Sequence, residues 1–365
     1  MMNRAIVLMA LACVVPAQED ATASKGQSPL ASVGPIAFGP DQTLLVSDPR
    51  AASLFAFDIS SEKAEGLGGP TEITAIGEKI AAALGTSVRD VAIVDVATNP
   101  DTQQVYLAVT RGQGPAALPV ILRLDKGGKL SPVKLGKATR VALQNAPPEP
   151  TPGAGGRRAR GPNRMEVITD LAFVDGRVVV AGLSNEEFSS KLRSLEWPLD
   201  SADDGTSIEI YHSAHGRYET NAPVRTFVPL AVGGEPHIVA AYTCTPLVLF
   251  PTSVIAPGQE DKFVGKTVAE LGNRNRPLDM VIINSDDEEF LLMANNSRGV
   301  MKIKTADLTE AEQLTEKVDD TAGVAYETLA DWTGVLQLDT FGKEHVIILV
   351  QGEDGGLSLK VVPNP

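Results

Sequence analysis

The chain has 365 residues, a formal net charge of −14 and two cysteines. That acidity argues against nucleic acid, whose phosphates require a basic footprint, and against adhesion to anionic lipid. No later segment offers the roughly 20 consecutive apolar residues of a membrane span, and with so few cysteines stability must come from a packed core.

Residues 1–17 read as an export signal. Arg4 supplies the positive start, residues 5–15 are apolar, and Val15-Pro16-Ala17 precedes Gln18 as a small-residue cleavage site. A competing reading makes Cys13 a lipid-attached cysteine after Ala10-Leu11-Ala12. The short apolar run before Cys13 and the presence of Ala10 in that box argue against it. Cleavage after Ala17 leaves Cys244 as the single cysteine, in a periplasmic or secreted protein. Residues 18–32 are expected to be a flexible leader.

One phrase then recurs along residues 33–362. An apolar strand, a turn, a second apolar strand, a polar cluster and a third strand appear at 35–57, 95–124, 168–211, 225–250, 277–303 and 335–359. A repeat of this size signals radial or linear stacking of one supersecondary unit. The expectation is an all-β propeller with six blades, or seven if an insertion supplies strands, in which each blade packs only on its neighbours. Gly39-Pro40-Asp41-Gln42 and Val174-Asp175-Gly176-Arg177 supply hairpin turns. Ile73, Ile76, Ile80 and Leu84 have helical spacing, so one short helix is expected within 72–84. Two loop insertions complete the reading. Residues 147–164 are rich in Pro, Gly and Arg, and residues 186–205, carrying Leu192, Leu195 and Trp197, are expected to form a small cap.

The segments Gly34-Pro35-Ile36-Ala37-Phe38-Gly39-Pro40-Asp41 with Leu45-Val46-Ser47-Asp48, and Arg276-Pro277-Leu278-Asp279-Met280 with Leu292-Met293-Ala294-Asn295, resemble the NHL, lactonase and YncE-like exported β-propellers. The resemblance implies architecture. The calcium-holding acids and asparagines of the lactonase type have no position-by-position match in this sequence, so no activity is carried over.

Propeller topology narrows the search for a site. Inner strands start, and second strands end, at the same rim of the channel. The polar residues at these places include Asp170, Asn185, Glu186, Arg225, Thr243, Cys244, Asp279, Asn295, Asn296 and Arg298. Carboxylates, amides and guanidiniums around a concavity suit a polar small ligand or a hard cation. Asp170, Asp279 and Asn295 are the oxygen ligands for one divalent metal ion, while Arg225 and Arg298 orient an anionic group. Asp and Asn also cap turns at strand ends, which is the structural reading of the same residues. A second constellation is His212, His215 and Glu219, an alternative metal site of imidazole type. Taking 208–211 as a third strand places that turn at the rim opposite Cys244.

The leading functional expectation is a monomeric exported propeller that binds a polar small molecule or metal ion at its channel mouth. A metal-assisted hydrolase or lactonase on the same rim is the first alternative. The second is a scaffold that docks a protein partner through the arginines of 157–164. The sequence carries no nucleophile elbow, phosphate loop or haem-attachment motif.

Overall fold

The computed structural model describes residues 29–62, 64–149, 163–201, 204–256 and 262–365. Residues 1–28, which hold the signal and most of the leader, and residues 150–162 of the arginine-rich loop lie outside them.

The strands form six sheets around one axis, a six-bladed β-propeller, antiparallel throughout the described residues except where Lys262–Val264 pairs parallel with Thr206–His212. Blade 1 is Ile36–Phe38, Thr43–Asp48, Ser53–Asp58 and, on its outside, Ala138–Ala142. Blade 2 is Val91–Thr98, Val105–Arg111, Leu118–Asp125 and Lys129–Pro132. Blade 3 is Asp170–Val174, Arg177–Leu183, Ser190–Glu196 and Thr206–His212, extended by Arg217–Glu219 and Lys262–Val264. Blade 4 is Thr226–Val232, Glu235–Ala241, Pro246–Pro251, Lys266–Leu271 and Thr321–Gly323. Blade 5 is Pro277–Ser285, Glu288–Asn295, Gly299–Lys304 and Glu327–Leu329. Blade 6 is Val335–Phe341, His345–Gln351, Leu357–Pro363 and, on its outside, Thr71–Ile73.

Blades numbered along the chain do not follow one another around the ring. Contacts between inner strands give the ring order 1, 3, 4, 5, 6, 2 and back to 1. After blade 1 the chain crosses to the outer edge of blade 6, builds blade 2, and returns to the outer edge of blade 1 before starting blade 3. Two blades are therefore closed by strands distant in sequence: Leu359 pairs with Ile73, and Leu54 with Val141.

The core follows from strand geometry. Successive side chains point to opposite faces, and both faces of each blade are covered. In blade 1, Leu45 and Leu54 pack with Leu171 and Val180 of blade 3. Val46 and Phe55, one residue on, pack with Tyr106 and Ala108 of blade 2. This is why the strands read as continuous apolar runs. Tight turns join them. Asp175 and Gly176 have φ of 48° and 74°, the two positive values that a two-residue hairpin of matching twist requires. The expected helix is Ile76–Leu84, closed by Gly85 at φ 62°, and a second short helix, Thr305–Glu310, follows the third strand of blade 5.

Residues 186–205 depart from expectation. Instead of a cap they contain Ser190–Glu196, the third strand of blade 3, so Thr206–His212 is the fourth strand. The strand was hidden by its polar residues, of which Ser190, Lys191, Arg193 and Ser194 are buried. Arg193 is inaccessible, and the Lys191 ammonium is held by Glu186 at 2.9 Å and by the Gly205 carbonyl at 3.1 Å. Leu192 and Leu195 face opposite neighbouring blades. The next strand inward is equally tight, since a methyl at Gly182 would run into the Val167 carbonyl oxygen. Gly182→Ala is expected to lower stability by about 1–3 kcal/mol, read from the urea midpoint.

Candidate functional site

Near its start, each inner strand of blades 2 to 6 places one polar side chain at the same level. Asp95 lies opposite Ala108, Asp170 opposite Ala181, Thr226 opposite Ala241, Asp279 opposite Ala294, and Gln337 opposite Leu349. In blades 2, 5 and 6 the pairing register slips just before this residue. Such a bulge re-aims a side chain, here toward the axis.

The carboxyls clasp neighbouring blades. Asp95 accepts from Ile36 N–H of blade 1 at 2.7 Å and from its own neighbour Val96 at 2.8 Å. Asp170 accepts from Phe227 N–H of blade 4 and from Leu171, both at 2.8 Å. Asp279 accepts from Leu338 N–H of blade 6 at 2.7 Å and from Met280 at 2.8 Å. Asp339, two residues deeper, accepts from Thr98 N–H of blade 2 at 2.6 Å and from Thr340 at 2.7 Å. Gln337, with its amide nitrogen turned to the axis, donates to Asp95 Oδ1 and Asp279 Oδ2 at 2.9 Å each.

Withdrawal from bulk water makes these acids hard to ionise. Burial pushes Asp170 and Asp339 up to about 6 against the pull of their backbone amide donors. Burial also raises Asp279 well above the carboxylate range, and the neighbouring Asp95 adds to it. Asp95 is raised in turn, by burial first and then by the charges of Asp170 and Asp339. All four border the channel, so water reaches them in part and tempers the cost of charging.

This layer divides the channel. Asp95, Asp170 and Asp279 border a cavity of about 430 Å³ on the rim side and another of about 390 Å³ on the far side. The far cavity combines apolar side chains, Phe38, Phe173, Phe227 and Ile282, with Asp339, Thr98 and Thr340 in its wall. The rim cavity adds Glu166, Arg225 and Arg276 to the acids and Gln337. Arg225 bonds Glu166 at 2.7 Å and Thr243 Oγ1 at 3.2 Å, so Thr243 backs the arginine. The Arg276 guanidinium is exposed and has no hydrogen-bond or ion-pair partner among the described residues.

Other expected members lie elsewhere. Asn295 does not reach the cavity. Its Nδ2 donates to the Gly299 carbonyl at 2.7 Å, and its Oδ1 accepts from Arg298 N–H at 2.6 Å and Ser297 N–H at 3.3 Å, a turn cap. Asn296 accepts from Arg276 N–H at 2.8 Å. Arg298 pairs with Asp320 at 2.9 Å, away from the axis. Asn185 and Glu186 are exposed, and Glu186 borders a separate depression with Asn163, Glu166 and Asn221. Second strands sit one strand spacing farther out, about 5 Å, and their ends lean outward into turns. The oxygen set Asp170, Asp279 and Asn295 therefore does not assemble.

Residues His212, His215 and Cys244 need a second correction. With Ser190–Glu196 counted, His212 ends a fourth strand, which finishes at the same rim as the second strand leading to Cys244. The imidazoles and the thiol share that rim, and one ligand atom from each lies within 4.8 Å of the others. Glu219 is held down to about 2, chiefly by its hydrogen bond with His212.

Sequence reasoning missed Glu166, Gln337, Asp339 and Glu270. A signal for Gln337 was present: Ile93-Val94-Asp95, Pro277-Leu278-Asp279 and Val335-Leu336-Gln337 are three copies of one bulged triplet.

No family model matches the chain, and no curated protein does. Among solved structures, an extracellular domain described as part of a one-component system of B. thetaiotaomicron is 12% identical, at a TM-score of 0.36, over 93% of this chain and 34% of that one. The chain thus spans about a third of that neighbour's length. A Thermus thermophilus protein described as an oxidoreductase (glucose dehydrogenase) is 12% identical, at 0.38, over 93% of this chain and 99% of that one. The PQQ-bound aldose sugar dehydrogenase of Streptomyces coelicolor is 11% identical, at 0.29, over 94% and 97%. Among the described residues no helix is long and apolar enough to cross a membrane. The chain is a six-bladed, all-β propeller, a conclusion that rests on its own sheets.

Proposed function

We propose that this is an exported binding propeller whose rim cavity takes a compact hydroxycarboxylate. The observation that carries the reading is an unpaired arginine set above a layer of carboxyls that resist ionisation. Arg276 receives the carboxylate, and the Arg225–Glu166 pair frames it. Protonated and hydrogen-bonding acids of the floor, with Gln337, exchange hydrogen bonds with the hydroxyls. A fully ionised floor would repel an anion, so the weakened acids and the two arginines belong to one design.

The test is calorimetric titration of the full chain with gluconate and tartrate, with a neutral polyol and an unhydroxylated dicarboxylate as controls. The hydroxy acids are expected to bind more tightly than either control. Arg276→Ala should weaken that binding about 10–100-fold, the worth of a charge-assisted contact. Equal binding by wild type and Arg276→Ala, or binding of none of the hydroxy acids, contradicts the proposal.

A further inference from the structure

The rim between blades 3 and 4 carries a second constellation, which shares no residue with the wall of the channel cavity. His212 closes the outer strand of blade 3, and a tight turn brings His215 back, with Gly216 N–H donating to the His212 carbonyl at 2.8 Å. The two imidazole rings lie 3.9 Å apart. One carboxylate serves both. Glu219 Oε2 meets His212 Nδ1 at 2.9 Å, and Oε1 meets His215 Nδ1 at 2.7 Å. An anionic acceptor on both Nδ1 atoms holds both rings in the same tautomer, with the proton on Nδ1 and a lone pair on Nε2.

His212 Nε2 has no hydrogen-bond partner although the residue is only 2% exposed. Glu270 Oε2, equally buried and also without a hydrogen bond, lies 4.0 Å away. Two such atoms facing one another are costly unless something sits between or beside them. Cys244 brings its sulfur to the same place, and the ligand atoms of His212, His215 and Cys244 all lie within 4.8 Å of one another. Zinc-to-nitrogen and zinc-to-sulfur bonds of about 2.0–2.3 Å put tetrahedral ligand atoms about 3.3–3.8 Å apart, so the three atoms need close in by no more than about 1.5 Å to hold an ion.

We propose that His212, His215 and Cys244 bind a transition-metal ion of the zinc type. Glu219 is a positioning residue, orienting both imidazoles in the way that carboxylates orient metal-bound histidines. Glu270 supplies negative charge beside the ion. Binding converts the Cys244 thiol to a metal-bound thiolate and releases its proton to solvent. The side chain of His215 is 41% exposed, so the ion enters from that side and keeps a position open to water.

The experiment titrates the full chain, freed of metal with a chelator and kept reduced, with Co²⁺ and then with competing Zn²⁺. One equivalent of Co²⁺ should produce a thiolate-to-metal charge-transfer band that Zn²⁺ abolishes. Cys244→Ser should remove the band, and His215→Ala should weaken binding at least tenfold. Both positions are partly exposed, and circular dichroism checks that both variants fold. Glu219→Gln should keep the band and lower affinity about 10–100-fold. Absence of a one-equivalent transition in wild type, or binding unchanged in both Cys244→Ser and His215→Ala, overturns the assignment.

Discussion

The stability of this protein is expected to fall as the pH is raised from about 5 to about 8. Asp170 and Asp339 titrate near 6 in the folded state, and Asp95 and Asp279 are raised as well, against an ordinary value of 3.8. Between the unfolded and folded values the native state binds more protons than the unfolded one. The slope of stability with pH is then negative, at most about 1.4 kcal/mol per pH unit for each titrating group and less where channel water eases the charge. The stabilisation is complete below the unfolded value and disappears as pH passes through the folded ones. Glu219 acts in the opposite sense: held at about 2, it contributes stability above its unfolded value that is lost as pH falls through 2. Urea midpoints at about pH 5, 6.5 and 8 measure the balance, and midpoints that rise across that series would contradict it.

Asp279→Ala should cost about 2–6 kcal/mol, because it leaves two backbone N–H groups, those of Met280 and Leu338, without acceptors at about 1–3 kcal/mol each. One of them belongs to the next blade, so the loss falls on an interface. The Gln337 amide loses a partner too. Asp279→Asn keeps one acceptor and should cost less than the alanine variant. With one raised carboxyl removed, both variants should also show a shallower decline of stability with pH. A urea midpoint unchanged in Asp279→Ala would mean that the acid does not clasp the blades. Asn296→Ala, which removes a single exposed acceptor from Arg276 N–H, is the control and should cost less than about 1.5 kcal/mol.

Much of the propeller was legible in the chain because burial on both faces writes continuous apolar runs, as in Leu44-Leu45-Val46 and Leu291-Leu292-Met293, separated by turn residues. Six copies of that phrase correspond to six blades. Ring order was not legible. It depends on Thr71–Ile73 and Ala138–Ala142, short outer strands in segments that lack the phrase and whose partners are distant in sequence. Ser190–Glu196 was missed because alternation of apolar with charged residues ordinarily marks a solvated face, whereas Lys191 and Arg193 are buried. That single strand moved His212 and His215 to the wrong rim and separated them from Cys244.

The acids near the inner-strand starts were found by topology, and Asp170, Asp279 and Arg225 do border the cavity. Their pairing with backbone amides of the next blade was invisible, since it depends on bulges that spacing alone does not reveal. Polar ends of second strands were over-read. Asn295, Asn296 and Arg298 serve turns and surface pairs, the ordinary task of such residues at strand ends.

The central claim is that one layer of channel acids ties the blades together and that its Asp95, Asp170 and Asp279 form a floor for the rim cavity that resists ionisation. Carboxyl carbon NMR titration of the protein labelled at aspartate, assigned with Asp170→Asn and Asp279→Asn, tests it most directly. The account predicts that Asp170 and Asp339 titrate near 6, with Asp95 and Asp279 also well above the ordinary 3.8. Four channel aspartates that all titrate at or below that ordinary value would mean an ionised floor, and would remove both the pH-dependent clasp and the anion-binding reading of the cavity above it.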